Sequence, residues 1–155
     1  MEKEKKLLVN AIQNGTVIDH ITAGNALKII KILNLPAHQK IVTVGLNLPS
    51  RTMGHKDLIK VEGRELTTDE ANRVAILAPN ATMNIINNYT IVKKFELKIP
   101  KFIEQLIICP NPKCITNHET MDTYFFIIPN GTAVKIKCRY CEKTFGQNDI
   151  VEYKI

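Results

Sequence analysis

A chain of 155 residues with 21 Lys and Arg against 15 Asp and Glu, and 45% hydrophobic residues, has the size of one ordinary domain or two small ones. No apolar run approaches the roughly 20 residues of a membrane span, and the opening Met-Glu-Lys-Glu-Lys-Lys reads as a solvated tail with no signal peptide, so a soluble, cytoplasmic protein is expected. The charge is uneven: residues 1–100 hold 14 Lys and Arg against 9 Asp and Glu, whereas residues 101–155 hold 7 against 6 and all four cysteines.

Residues 7–12 and 16–21 are short apolar runs on either side of Gln13-Asn14-Gly15, and Asn-Gly between such runs predicts a hairpin. Ala26, Ile29, Ile30 and Leu33 recur at helical spacing with Lys28 and Lys31 opposite, which predicts an amphipathic helix closed by Pro36. Residues 40–48 alternate as a half-buried strand, with Val42, Val44, Leu46 and Leu48 on one face and Thr43, Gly45 and Asn47 on the other. Residues 56–62 predict a second strand, Ile59 and Val61 facing one way and Lys56 and Lys60 the other. Thr67-Thr68-Asp69-Glu70 matches a capping box ahead of the stripe Ala71, Val74, Ala75 and Ala78, which Pro79 ends. Residues 82–86 and 89–97 form two more strands around Asn87-Asn88. The fold class is α+β. Residues 1–100 are expected to form a ferredoxin-like α/β sandwich, with helices on one sheet face and the other face solvated or occupied. Leu97-Lys98-Ile99-Pro100 is the expected joint.

Residues 101–155 are expected to be a small antiparallel β zinc-binding domain. Residues 124–128 and 133–137 flank Pro129-Asn130-Gly131-Thr132 as a hairpin, and 149–155 can add a final strand. These 55 residues are too few to rely on a core alone. Cys109-Pro110-Asn111-Pro112-Lys113-Cys114 and Cys138-Arg139-Tyr140-Cys141 supply two close pairs, so that two turns each offer two thiolates to one tetrahedral ion. One structural zinc per chain, held by Cys109, Cys114, Cys138 and Cys141, is predicted. Four thiolates leave no open position for water, and Lys113, Lys135, Lys137, Arg139 and Lys143 are close in sequence to offset their charge. A disulfide framework fits poorly with a chain that has no cysteine before residue 109. A redox Cys-x-x-Cys usually opens a helix, whereas residues 135–145 read as strand, turn and strand.

Lysines four apart on a strand share a face and stand about 13 Å from one another, so Lys56 and Lys60 can meet different parts of one extended polyanion such as a nucleoside triphosphate. Lys93 and Lys94 come from the last strand, and Asp19 with His20 offers an acceptor and a donor to a base or ribose. Each of these also fits a plain reading, as a solvated strand face or a strand-end cap. Two other functions compete. A zinc-ribbon nucleic-acid binder is disfavoured by the near balance of charge around the cysteines, and a stand-alone enzyme built on His20 and Asp19 lacks a nucleophile and base at a sensible spacing.

Several segments, in matched order, resemble the regulatory chain of aspartate carbamoyltransferase over nearly the whole length. They are Gly15-Thr16-Val17-Ile18-Asp19-His20-Ile21, Gly45-Leu46-Asn47-Leu48-Pro49-Ser50, Met53-Gly54-His55-Lys56-Asp57-Leu58-Ile59-Lys60 and Ala78-Pro79-Asn80-Ala81-Thr82. Cys109-Pro110-Asn111, Cys114-Ile115 and Cys138-Arg139-Tyr140-Cys141-Glu142-Lys143 extend the likeness. The resemblance implies a non-catalytic subunit in pyrimidine biosynthesis, dimeric through its N-terminal domain within a complex of six catalytic and six regulatory chains, with no nucleic-acid or membrane partner. It implies that CTP inhibits and ATP opposes it, and that the zinc domain docks on the catalytic chain. Carried onto this sequence, the effector pocket comprises Val9, Ala11, Ile12, Val17, Asp19, His20, Lys56, Lys60, Asn84, Ile86, Tyr89, Ile91 and Lys94. Asp19, Lys60 and the backbone around Ile12 would meet base and ribose, and Lys94, His20 and Lys56 the phosphates. Asn10 replaces an expected acid, and an arginine expected after Lys94 is missing, with Lys93 the residue to make up for it if the strand end twists.

Overall fold

The computed structural model describes residues 9–131 and 133–150. Its first half runs β1 (Gly15–Thr22), α1 (Ala26–Ile32), β2 (Val42–Ser50), β3 (Gly54–Glu62), α2 (Thr68–Leu77), β4 (Thr82–Asn87) and β5 (Thr90–Glu96). The sheet is antiparallel in the order β2-β3-β1-β4-β5, which is the ferredoxin-like arrangement with β5 added at one edge. Ile18, Ile59 and Met83 project from its three central strands into a fully buried layer with Ile29 of α1 and Val74 and Leu77 of α2. The helices thus cover one face. The other carries no helix among the described residues.

Local chemistry explains the helices. The Thr67 hydroxyl accepts from Glu70 N–H and the Glu70 carboxylate returns to Thr67 N–H, completing the predicted capping box of α2. At α1 the capping carboxylate is remote in sequence. Asp57, fully buried on β3, accepts from Gly24 N–H at 2.9 Å and Ala26 N–H at 3.2 Å through one oxygen, and from Asn47 N–H at 2.9 Å through the other. One side chain therefore fixes the start of α1 and an irregularity in β2.

Two strand expectations of the first half are corrected. The N-terminal hairpin is absent among the described residues: residues 7 and 8 lie outside them, 9–14 form no strand, and β1 pairs with β3 and β4 instead. Gly15 is still required, because a Cβ there would lie 2.0 Å from the Val61 carbonyl oxygen. In β2 the alternation breaks at a register shift between Gly45 and Leu48. Val42 and Val44 pack on the core, but Leu46 is exposed and Leu48 turns to the opposite face.

The second half contains β6 (Phe102–Glu104), β7 (Tyr124–Asn130), β8 (Ala133–Cys138) and β9 (Thr144–Gly146), an antiparallel sheet in chain order. Asn130 pairs with Ala133 across the expected turn, where Gly131 takes a φ of 63°. The expected final strand is not seen in the described residues, since Gln147–Asp149 is a 3-10 turn; residues 151–155 lie outside them. Ile103, Leu106 and Ile107 join the apolar layers of both halves into one cluster. Gln147 Nε2 donates to Ile76 O at 2.8 Å, and Asn25 Nδ2 to Leu77 O at 2.7 Å, so both bonds converge on the last turn of α2. No described helix is long and apolar enough to cross a membrane.

Candidate functional site

The uncovered face of the first sheet holds a groove of about 420 Å³. Its walls come from strand alternation: Lys56, Leu58 and Lys60 of β3, Val17 and Asp19 of β1, Asn84 and Ile86 of β4, and Ile91 of β5. Leu48 and Pro49 close one side after the β2 shift, and Val9 the end. Eight of the expected pocket residues line this groove.

Charge in the groove is arranged around Asp19. Lys56 Nζ is 2.9 Å from Asp19 Oδ1, an oxygen that also accepts from His20 N–H at 2.6 Å. A second shift in register, between Ile18 and Ile21, carries His20 into a left-handed conformation with φ 57°, its Nδ1 lying 3.3 Å from Thr82 Oγ1. Lys60, only 9% exposed, donates to Asn10 O at 2.6 Å and Val9 O at 3.3 Å. Burial pulls its pKa below 10.5, and the nearby Asp19 charge opposes that pull. Asn84 Oδ1 is buried without a hydrogen-bond partner.

The remaining expected residues divide. Lys94 stands opposite Asn84 in the β4-β5 register, so it belongs to the groove face although exposed. Lys93 stands opposite Ile85, on the helix face, with Nζ 4.4 Å from the Phe95 ring centroid. The strand end does not twist it toward the groove. Ile12 is buried, Ala11 and Tyr89 are exposed and His20 is half-buried, all outside the groove lining. Leu48, Pro49 and Leu58 are lining residues that the sequence reading missed. Leu58 was legible, lying between Lys56 and Lys60 on the same strand face; the other two depend on a shift in register that no sequence pattern announced.

At the other end, the Sγ atoms of Cys109, Cys114, Cys138 and Cys141 all lie within 4.8 Å of one another. Cys109–Cys141 and Cys114–Cys138 are each 3.8 Å apart. Four sulfurs at about 2.3 Å from a tetrahedral zinc would be separated by about 3.8 Å, the spacing of these two pairs, so the cluster fits one structural zinc. β8 delivers Cys138, and Arg139 to Cys141 form the turn before β9. The other knuckle is tied by Asn117, whose Nδ2 donates to Cys109 O at 3.0 Å and Asn111 O at 2.8 Å. Thr116 Oγ1, buried 3.1 Å from Cys114 Sγ, is placed to donate to a thiolate. Sequence reading missed both, since neither is a ligand type for zinc. Burial raises the pKa of Cys109 and Cys138 above 9.0. Burial acts on Cys141 in the same direction, but the Lys143 backbone N–H, Asn111 and the neighbouring thiols outweigh it and bring it to about 7.

A family model for the aspartate carbamoyltransferase regulatory chain, allosteric domain, matches residues 7–98, and one for the same chain's metal binding domain matches residues 101–151. The regulatory chain of Pyrococcus abyssi is 47% identical over 148 residues, covering 94% of this chain and 97% of that one. Those of Aeromonas salmonicida and Photobacterium profundum are each 45% identical over 152 residues, with 98% of this chain and 99% of theirs covered. Together the two matches define the class, a regulatory chain with an allosteric and a metal-binding domain. The chain belongs to the family of aspartate carbamoyltransferase regulatory chains.

Proposed function

We propose that residues 1–100 form an effector domain that binds nucleoside triphosphates, CTP and ATP among them, and that residues 101–155 form a zinc domain that docks on the catalytic chain. The observation that carries the first part is the groove. Lys56, Lys60 and Lys94 share one sheet face with the unpartnered Asn84 Oδ1, giving cations for phosphates beside an acceptor for a base amino group. Asp19, already held by Lys56 and His20 N–H, is positioned to accept from a ribose hydroxyl.

The zinc would be held by Cys109, Cys114, Cys138 and Cys141, and it supplies cross-linking of two loops with no chemistry of its own. Its role is to maintain the docking surface. Dimerisation through the first domain has a candidate edge in β2, where Leu46 is 48% exposed, Ile41 just before the strand is 67% exposed, and one side of the strand is unpaired among the described residues. The assembly proposed is six regulatory with six catalytic chains in the cytoplasm. Calorimetric titration of the isolated chain with CTP and ATP, alongside aspartate carbamoyltransferase assays of the complex, tests the reading. Binding of neither nucleotide by folded, zinc-loaded chain would remove it.

A further inference from the structure

The chain contains two Asn-Gly pairs, Asn14-Gly15 and Asn130-Gly131. Glycine has no Cβ, so its backbone nitrogen meets little hindrance in attacking the side-chain amide of the asparagine before it. Both pairs share this chemistry, but the fold gives them different surroundings. At Asn14 the groups that must move are held: its carbonyl accepts from Gly63 N–H at 2.8 Å and its side-chain Oδ1 from Asn88 N–H at 3.0 Å. Gly15 is buried at the start of the central strand β1, paired with Glu62 on one side and Ile86 on the other. Swinging the Asn14 amide onto Gly15 N would break the Asn88 bond and pull β1 from two neighbours.

Asn130 and Gly131 are both exposed, at the closed end of the β7-β8 hairpin. No described residue hydrogen-bonds the Asn130 side chain, and Gly131, with φ 63°, has open space where a Cβ would stand. Pro129 has no N–H to give, so beyond Ile128 only the Asn130–Ala133 pair ties the hairpin tip. A single end pair opens far more readily than the body of a sheet.

We infer that Asn130 is a site of spontaneous deamidation in the folded chain, while Asn14 is protected by its bonds. The Gly131 nitrogen, its proton taken by hydroxide, attacks Asn130 Cγ. The Cγ–Nδ2 bond breaks and Nδ2 leaves as ammonia with a proton from water, which leaves a cyclic imide. Water then opens the imide. Cleavage between Cγ and the Gly131 nitrogen gives aspartate, and cleavage between that nitrogen and the Asn130 backbone carbonyl carbon gives isoaspartate, with the chain rerouted through Cβ and Cγ. One water is consumed and one ammonia released, with nothing oxidised or reduced. Either product puts a carboxylate where an amide stood. Residues 101–155 hold 7 Lys and Arg against 6 Asp and Glu, so their excess of one positive charge is cancelled. Isoaspartate also lengthens the backbone at the closed end of the hairpin whose other end pairs Cys138 with Phe125.

The test incubates full-length, zinc-loaded chain at neutral and at mildly alkaline pH, followed by isoelectric focusing and peptide mass spectrometry, with denaturant-unfolded chain as reference. A more acidic species should accumulate, faster at the higher pH because hydroxide starts the reaction, and should map to the peptide holding Asn130. The Asn14 peptide should stay intact in the folded chain and convert only in denaturant. Asn130→Gln, whose longer side chain closes the ring poorly, should abolish the acidic species. Gly131→Asn, which tolerates a left-handed φ but adds a side chain beside the attacking nitrogen, should slow it about ten-fold. Asn130 intact in the folded chain but converted in denaturant would overturn the inference. So would Asn14 converting as fast as Asn130 in the folded chain, or Gly131→Asn reacting at the wild-type rate.

Discussion

The Lys60 ammonium donates to the Asn10 carbonyl at 2.6 Å, so a groove cation on β3 holds the backbone of the segment that precedes β1. Two backbone acceptors satisfy it without neutralising it, since its second contact is to Val9 O. The groove thus contains a largely buried cation whose described partners are neutral backbone carbonyls.

Lys60→Ala should weaken nucleoside triphosphate binding about ten-fold or more, as expected for a charge-assisted bond of about 1.5 to 3 kcal/mol. pH gives a sharper measurement. The fold lowers the Lys60 pKa, so the charged form costs stability at neutral pH, and that cost is relieved as pH rises through the lowered pKa toward 10.5. A bound polyanion favours the charged form, so binding takes up a proton and affinity should fall as pH rises through the same range. Calorimetry from about pH 7 to about pH 10 should show a steeper loss for the wild type than for Lys60→Arg, whose guanidinium stays charged.

Lys93 and Lys94 are adjacent in sequence and opposite in direction. Lys94→Ala should weaken triphosphate binding about ten-fold, whereas Lys93→Ala should leave it within about two-fold, because Lys93 lies over Phe95 on the helix face. Equal losses in both variants would show that β5 is turned over relative to this register.

Zinc content should be about one ion per chain, and Cys138→Ser should abolish it. Circular dichroism and nucleotide titration should then show the second sheet lost and the first still able to bind nucleotide. Acidification should release metal from the wild type as the thiolates protonate. Joint loss of nucleotide binding and zinc would contradict the division at residue 100.

Asp57→Ala should destabilise the protein more than any groove substitution. It strands three backbone N–H groups, those of Gly24, Ala26 and Asn47, and a cost above about 3 kcal/mol is expected. A denaturant midpoint shift with the slope unchanged is the measurement.

The sequence made alternating and helical faces legible wherever one residue in two, or three and four, met a single environment. Lys56 and Lys60 outward with Ile59 and Val61 inward is such a case, and so is the α2 stripe behind its capping box. Asn14-Gly15 misled because glycine there meets a steric demand from Val61 O, not a turn between paired strands. Likewise, the placing of Leu48, Pro49 and His20 depends on two shifts in strand register, one stabilised by Asp57 through Asn47 N–H. The carboxylate that does this is ten residues from its partner, and periodicity carries no trace of it.

Ile76 and Leu77 give successive carbonyls to two different parts of the chain, one to Gln147 beyond β9 and the other to Asn25 ahead of α1. The final carbonyls of a helix have no partner within it, so these two are free to be used this way. Helix carbonyls all point roughly along the axis, but successive ones sit about 100° apart around it and about 1.5 Å apart along it, so the number of residues in α2 determines where on the helix end each acceptor stands. Helix length is therefore a gauge of where the second half is tied on: one residue inserted before Ile76 would carry the Gln147 acceptor about a quarter-turn around the axis, and that bond could be kept only if the halves shifted to follow it.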